Sequence, residues 1–143
     1  MKLKKKITKQ IGFAIVSAFL VAGWFFLWGG MDAAQADELI TCRYLSSKGL
    51  DISLELEVGF PAPSMIILIQ KVPAATAIIK ASPEFKKYDA IKGEAKWLFS
   101  GVKPGRIKMA MTLSKPIKSN EVMGEIRYKN PATGQMVTMT VAP

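Results

Sequence analysis

From Leu50 to Val58, apolar and polar residues alternate without a break. Leu50, Ile52, Leu54, Leu56 and Val58 fall on one side, and Asp51, Ser53, Glu55 and Glu57 on the other. A side-chain period of two over that length is a strand with one face on a core and one in water. Gly59-Phe60-Pro61-Ala62-Pro63 ends it. Met65-Ile66-Ile67-Leu68-Ile69 is continuously apolar and rich in β-branched residues. That run predicts a central strand covered on both faces, closed by Pro73. Thr76 to Ala81 predicts a shorter strand stopped at Ser82-Pro83, and Glu84 to Asp89 a loop that ends near Gly93. Glu94 to Ser100 alternates again, with Ala95, Trp97 and Phe99 on one side. Gly101-Val102-Lys103-Pro104-Gly105 places Pro and Gly where a turn needs them. Ile107, Met109, Met111 and Leu113 then alternate with Arg106, Lys108, Ala110 and Thr112, up to a stop at Pro116. Glu121 to Lys129 and Gln135 to Ala142 form a hairpin across Asn130-Pro131-Ala132-Thr133-Gly134, where Gly134 supplies a positive φ.

These are about seven to eight short strands with a turn every ~8–12 residues, the spacing of a β-sandwich or small barrel. No helical period runs through residues 37–143. The first 36 residues differ. Met1 to Gln10 carries Lys2, Lys4, Lys5, Lys6 and Lys9 and no acid, Ile11 to Met31 is an apolar run, and Ala34-Gln35-Ala36 follows. A basic end, an apolar middle and an A-x-A exit form a secretion signal, with Ala34 and Ala36 at the cleavage site. The apolar run is also long enough for an N-terminal hydrophobic helix to span a bilayer. Residues 1–36 are therefore a signal peptide or, uncleaved, a signal anchor crossing the inner membrane through residues 11–31. In both cases the clustered lysines stay on the cytoplasmic side and residues 37–143 are exported, to the periplasm or cell surface.

Residues 37–143 have the size of one ordinary domain. The chain's net charge is +9. Five lysines and one acid, Asp32, lie in residues 1–36, so +4 belongs there and +5 remains. A moderately basic exported domain favours anionic surfaces. Cys42 is the single cysteine, so no intrachain disulfide can form. Leu39-Ile40-Thr41-Cys42 is close to a lipoprotein box, but Thr41 is large for that motif, and Cys42 reads better as a small buried hydrophobe on a strand. Histidine is absent. Its absence removes imidazole general bases, His-assisted nucleophiles and His metal or haem ligands.

Lys71-Val72-Pro73-Ala74-Ala75-Thr76-Ala77-Ile78-Ile79-Lys80-Ala81-Ser82-Pro83 runs from an apolar residue, Pro and small residues through a strand to a Ser-Pro stop. Tyr88-Asp89, Gly93 to Trp97, and Val102-Lys103-Pro104-Gly105 with its strand to Leu113 continue the pattern. Over about residues 68–113 the chain resembles the conserved-repeat, immunoglobulin-like β-sandwich domains of bacterial exported and cell-surface proteins. Cohesin-type sandwiches are a weaker likeness of the same architecture. The resemblance implies a sandwich in the cell envelope and brings no catalytic residues. Such domains often stand in tandem, and this one stands alone.

Several residue sets invite chemistry. Asp51, Glu55 and Glu57 share a strand face, but a flat strand does not wrap calcium. Basic strands such as Arg106-Ile107-Lys108 offer them cross-strand partners instead. Met109 and Met111, with Met123, Met136 and Met139, have thioethers that suit Cu(I), yet the first two sit on the apolar side of an alternating strand. Ser46-Ser47-Lys48 and Ser114-Lys115 are the candidates for a His-free nucleophile. Basic residues interleaved with aromatics, among them Phe85, Lys92, Trp97 and Lys103, centre on Lys86, Lys87, Tyr88, Lys96, Arg106 and Lys108. In a cytoplasmic chain such a set grips single-stranded nucleic acid, but export points to a protein or an anionic envelope polymer.

The expectation is an all-β, immunoglobulin-like antiparallel sandwich behind an N-terminal hydrophobic helix. It would serve as a non-catalytic binding or structural module of the bacterial cell envelope, with no cofactor, no metal and no nucleic acid. One alternative is a fibre or homo-oligomer subunit that assembles by strand exchange, with residues 37–45 as donor. A small periplasmic enzyme or metal carrier is the other.

Overall fold

In a computed structural model, residues 38–143 are described and form eight β-strands and a 3-10 turn at Ser119–Glu121. The strands are β1 (Ile40–Val58), β2 (Met65–Lys71), β3 (Ile78–Ser82), β4 (Lys87–Asp89), β5 (Glu94–Ser100), β6 (Gly105–Ile117), β7 (Met123–Lys129) and β8 (Met136–Val141). The signal or anchor helix, with Ala34 and Ala36, lies outside the described residues, as does the membrane span it implies.

One antiparallel sheet has the order β1-β6-β3 and the other β4-β5-β2-β7-β8. They share one hydrophobic core, the arrangement of a β-sandwich. Ile52, Leu54, Leu56 and Val58 of β1 and Met109, Met111 and Leu113 of β6 are buried from the first sheet. Ile66, Leu68, Ala95, Trp97, Ile126 and Tyr128 are buried from the second. Each buried Val, Leu, Ile or Met among them contributes about 1.5–3 kcal/mol relative to exposure. Both methionines of the M-x-M pair are thus core residues.

β1 is 19 residues long. Fully extended it would span roughly 60 Å. It instead doubles back: the Gly59 amide donates to the Leu39 carbonyl at 2.8 Å, and the Ser46 hydroxyl to the Asp51 carbonyl at 3.0 Å. Gly49 sits at the reversal with φ +79°, a conformation that side chains with a Cβ resist. A first arm (residues 40–48) therefore lies beside a second arm (residues 50–58), and the second pairs continuously with β6, from Asp51↔Thr112 to Val58↔Gly105. Leu50, expected on the buried face, is 46% exposed because it adjoins this turn. Cys42, expected to be buried, is half-buried on the first arm.

Other departures follow from the same register. β2 is central and flanked by β5 and β7, but it is not covered on both faces. Ile66 and Leu68 are fully buried, whereas the opposite side is covered only in part: Ile69 is buried, Ile67 half-buried and Met65 46% exposed. The expected loop at Glu84 to Asp89 contains β4. Pro116 does not stop β6, which continues to Ile117. The pairing jumps there from Asp51↔Thr112 to Gly49↔Ile117, and such a bulge tolerates a residue with no N–H to give.

Candidate functional site

The second arm of β1 lies between two basic neighbours. Glu55 pairs with Lys108 and Glu57 with Arg106 across the β1–β6 ladder. From the first arm, Arg43 Nη2 donates to Glu55 Oε1 at 2.7 Å, and Lys108 Nζ stands 3.8 Å from Glu55 Oε2. Glu55 is buried beneath the two while they remain exposed. The Arg43 guanidinium holds its carboxyl below the ordinary range against the opposing effect of burial, and Arg106 and Lys108 add to that pull. Asp51 Oδ1 accepts the Thr112 hydroxyl at 2.8 Å. The outer face of this sheet is a matched ionic ladder, as the basic strand beside an acidic one predicted. Arg106 and Lys108 thereby face carboxylates.

Lys87 and Lys96 are placed differently. They lie directly opposite each other across the β4–β5 pair, on the outer face of the five-stranded sheet, and both are exposed. Lys86 precedes them and ties its backbone N–H to the Lys96 carbonyl at 2.7 Å. Among the described residues none of the three has an ion-pair partner. The acids in the next row are engaged. Glu94 stands 3.9 Å from Lys71, and Asp89 Oδ1 accepts the amides of Ile91 and Lys92 at 3.1 Å each. Like charges directly opposite in a sheet are destabilising, so the fold does not gain from this pair.

Tyr88 does not join the lysines. Its ring is half-buried at the end of the sandwich, 5.9 Å from the ring of Phe85, and its hydroxyl donates to the Thr76 carbonyl. Phe85 meets Trp97 edge-on at 6.0 Å, and Trp97 Nε1 donates to the Pro83 carbonyl at 2.9 Å. These aromatics anchor β4 to the core and leave the lysines outside.

The six sequence-derived binding residues therefore divide. Lys86, Lys87 and Lys96 form one basic cluster on the five-stranded sheet, Arg106 and Lys108 belong to the ladder of the other sheet, and Tyr88 points inward. Sequence reasoning missed Leu98, 46% exposed on the same side of β5 as Lys96, and Met65, also 46% exposed but opposite Ser100 further along the face. It also missed an open groove of about 530 Å3 lined by Leu98, Ser100, Val102, Lys103 and Arg106. Leu98, an apolar residue on the polar side of an alternating strand, was the available sign.

The nucleophile candidates hold local structure. Ser47 Oγ donates to Ser119 Oγ at 3.1 Å, and Ser114 Oγ accepts the Ala77 amide at 3.0 Å. No group of three or more His, Cys, Asp or Glu with metal-binding geometry occurs among the described residues. Compared with protein families, with curated proteins and with solved structures, the chain matches none of them.

Proposed function

We propose that the chain is an exported, non-catalytic binding module of the bacterial cell envelope, and that its outer five-stranded face holds an anionic envelope polymer or an acidic protein surface. The observation that carries this is the Lys87–Lys96 pair. Two unpaired ammonium groups face each other at a position where they cost the fold stability. An anion laid across them removes the repulsion and gains two charge-assisted contacts. Leu98, two residues from Lys96 on the same side of β5, adds apolar contact area. Absence of histidine supports the non-catalytic part, and the basic, apolar and A-x-A order of residues 1–36 supports export.

An immunoglobulin-like plan is supported by the two-layer strand order. With β1 folded back, the first layer runs first arm, second arm, β6, β3 and faces β4-β5-β2-β7-β8. Strand exchange with residues 37–45 as donor is the weaker reading, because Leu39 to Ser46 already pair in cis with the second arm.

The test is retention of the full-length chain, in non-ionic detergent, on an immobilised anionic polysaccharide such as heparin while salt is raised. Lys87→Glu/Lys96→Glu is expected to elute at clearly lower salt than Lys115→Glu/Lys118→Glu, which changes net charge equally at other exposed positions. Equal elution of the two would overturn the assignment. Lys87→Glu alone is expected to raise stability by about 0.2–1 kcal/mol while weakening retention, because it sets opposite charges across β4–β5.

A further inference from the structure

Strand register gathers one set of connections at one end of the sandwich. Leu39, just ahead of β1, accepts the Gly59 amide at 2.8 Å. Val58 lies opposite Gly105, and the Gly101 amide donates to the Ser64 carbonyl at 3.1 Å, so the β1–β2 and β5–β6 connections adjoin. Met65 faces Ser100, Ile66 faces Tyr128 and Lys129 faces Met136, which brings the β7–β8 turn to the same end. The Gly49 reversal, the β4–β5 turn and the approach to β7 lie at the other end, as Gly49↔Ile117, Lys71↔Glu94 and Lys71↔Met123 require.

The two ends differ in chemistry. Residues 59–64, 101–104 and 130–135 contain no acid. Lys103, Arg106 and Lys129 stand in or beside these connections and are exposed. Lys103 and Lys129 have no ion-pair partner among the described residues. Glu38 and Glu57 flank this end from the side of β1, and Glu57 already stands opposite Arg106. Phe60 in the first connection is 86% exposed, and Met136 beside the third is 64% exposed. The other end also exposes a large apolar residue, Ile91 at 89%, but it carries Asp51, Asp89, Glu94 and Glu121.

We infer that the end holding Leu39, Phe60 and Lys103 is a membrane seat. Phe60 enters the interface of an anionic phospholipid bilayer, and Lys103, Arg106 and Lys129 lie against its phosphates. Chain connectivity selects a bilayer as the occupant. The apolar run Ile11 to Met31 stops shortly before Leu39, so a span there returns the chain from the bilayer at this end and not the other. Charge selects it as well. An exposed aromatic that shares an end with unpaired cations matches an interface where acyl chains lie beneath negative headgroups. The acids gathered at the other end face away from that negative layer. The seat rests on the export reading of residues 1–36 in its uncleaved form, and it is separate from the Lys87–Lys96 face.

The experiment reconstitutes the full-length chain, in a Cys42→Ser background, into vesicles of phosphatidylglycerol and phosphatidylcholine that carry a nitroxide-labelled lipid. A polarity-sensitive fluorophore is attached through Phe60→Cys or, at the opposite end, through Ile91→Cys. The label at position 60 is expected to shift to the blue and lose most of its intensity to the nitroxide, while the label at position 91 does neither. Lys103→Glu/Lys129→Glu is expected to abolish the quenching at position 60 with unchanged far-ultraviolet circular dichroism. Vesicles of phosphatidylcholine alone, which keep the span and remove the negative charge, are expected to abolish it too. Equal quenching at the two positions, or quenching at position 60 that survives both changes of charge, overturns the seat. Should the double variant not fold, the phosphatidylcholine vesicles decide the charge dependence. Flotation separates the seat from the reading beneath it. A chain that floats with the vesicles but leaves position 60 unquenched refutes the seat alone, and a chain that does not float refutes the span with it.

Discussion

Gln70 makes the heaviest demand on its surroundings of any single residue. It is fully buried on the inner side of β2, yet all its polar atoms are used. Its carbonyl accepts the Tyr44 hydroxyl at 2.9 Å, and its amide donates to the carbonyls of Lys71 and Met123 at 3.0 and 3.3 Å. Tyr44→Phe leaves Gln70 Oε1 without a partner and is expected to cost about 1–3 kcal/mol in denaturant unfolding. Adding Gln70→Met should recover part of that loss, since an apolar pair leaves nothing unsatisfied; strict additivity of the two changes would sink the coupling. Burial pushes the Tyr44 hydroxyl up to about 12 and the Cys42 thiol to about 11. Both are raised, so their contribution is complete below their ordinary values of 10.0 and 9.0 and is lost as pH rises through the folded ones. Gly93 is constrained in another way. Its φ is +67°, and a Cβ there would press into the Val72 carbonyl, whose residue also donates its amide to the Gly93 carbonyl at 2.8 Å. Gly93→Ala is expected to lose about 2 kcal/mol or more of stability, measured by the same unfolding.

Among the elements, the ladder around the second arm of β1 has a definite acid response. Glu55 is held below its ordinary value of 4.5, chiefly by Arg43. The ladder's contribution is therefore full above that value and disappears as pH falls through the folded one. Glu55→Gln should lower the thermal midpoint at neutral pH and flatten its decline below pH 4.5; an unchanged acid limb would show that other carboxylates set it. The second arm was legible because Ile52, Leu54, Leu56 and Val58 all point one way. The first arm was not, because its inward positions are Ile40, Cys42, Tyr44 and Ser46, whose polar atoms hide the period. Tyr44 and Ser46 can sit there only because each finds a hydrogen bond on another segment, which no local pattern announces. β4 escaped notice for a different reason: three residues are too few to display alternation. The Lys87–Lys96 confrontation depends on register between strands, so composition supplied the lysines and only the pairing set them face to face.

Across the whole domain, the two outer faces have opposite electrostatic characters although both are rich in lysine and arginine. On one, Glu55 and Glu57 of the second arm stand opposite Lys108 and Arg106, and Glu55 is bracketed by Arg43 and Lys108. On the other, Lys87 and Lys96 face each other beside the exposed Leu98. That asymmetry gives the domain one face whose charges are largely paired and one whose lysines are not. The doubling-back of β1 carries a mechanical consequence. A load drawn away from the sheet at residue 37 meets the Leu39–Gly59 bond first and the Arg43–Glu55 pair next. The arm therefore opens like a zip, one rung at a time, and the Tyr44–Gln70 tie to the opposite sheet is the first point at which the rest of the domain resists the pull.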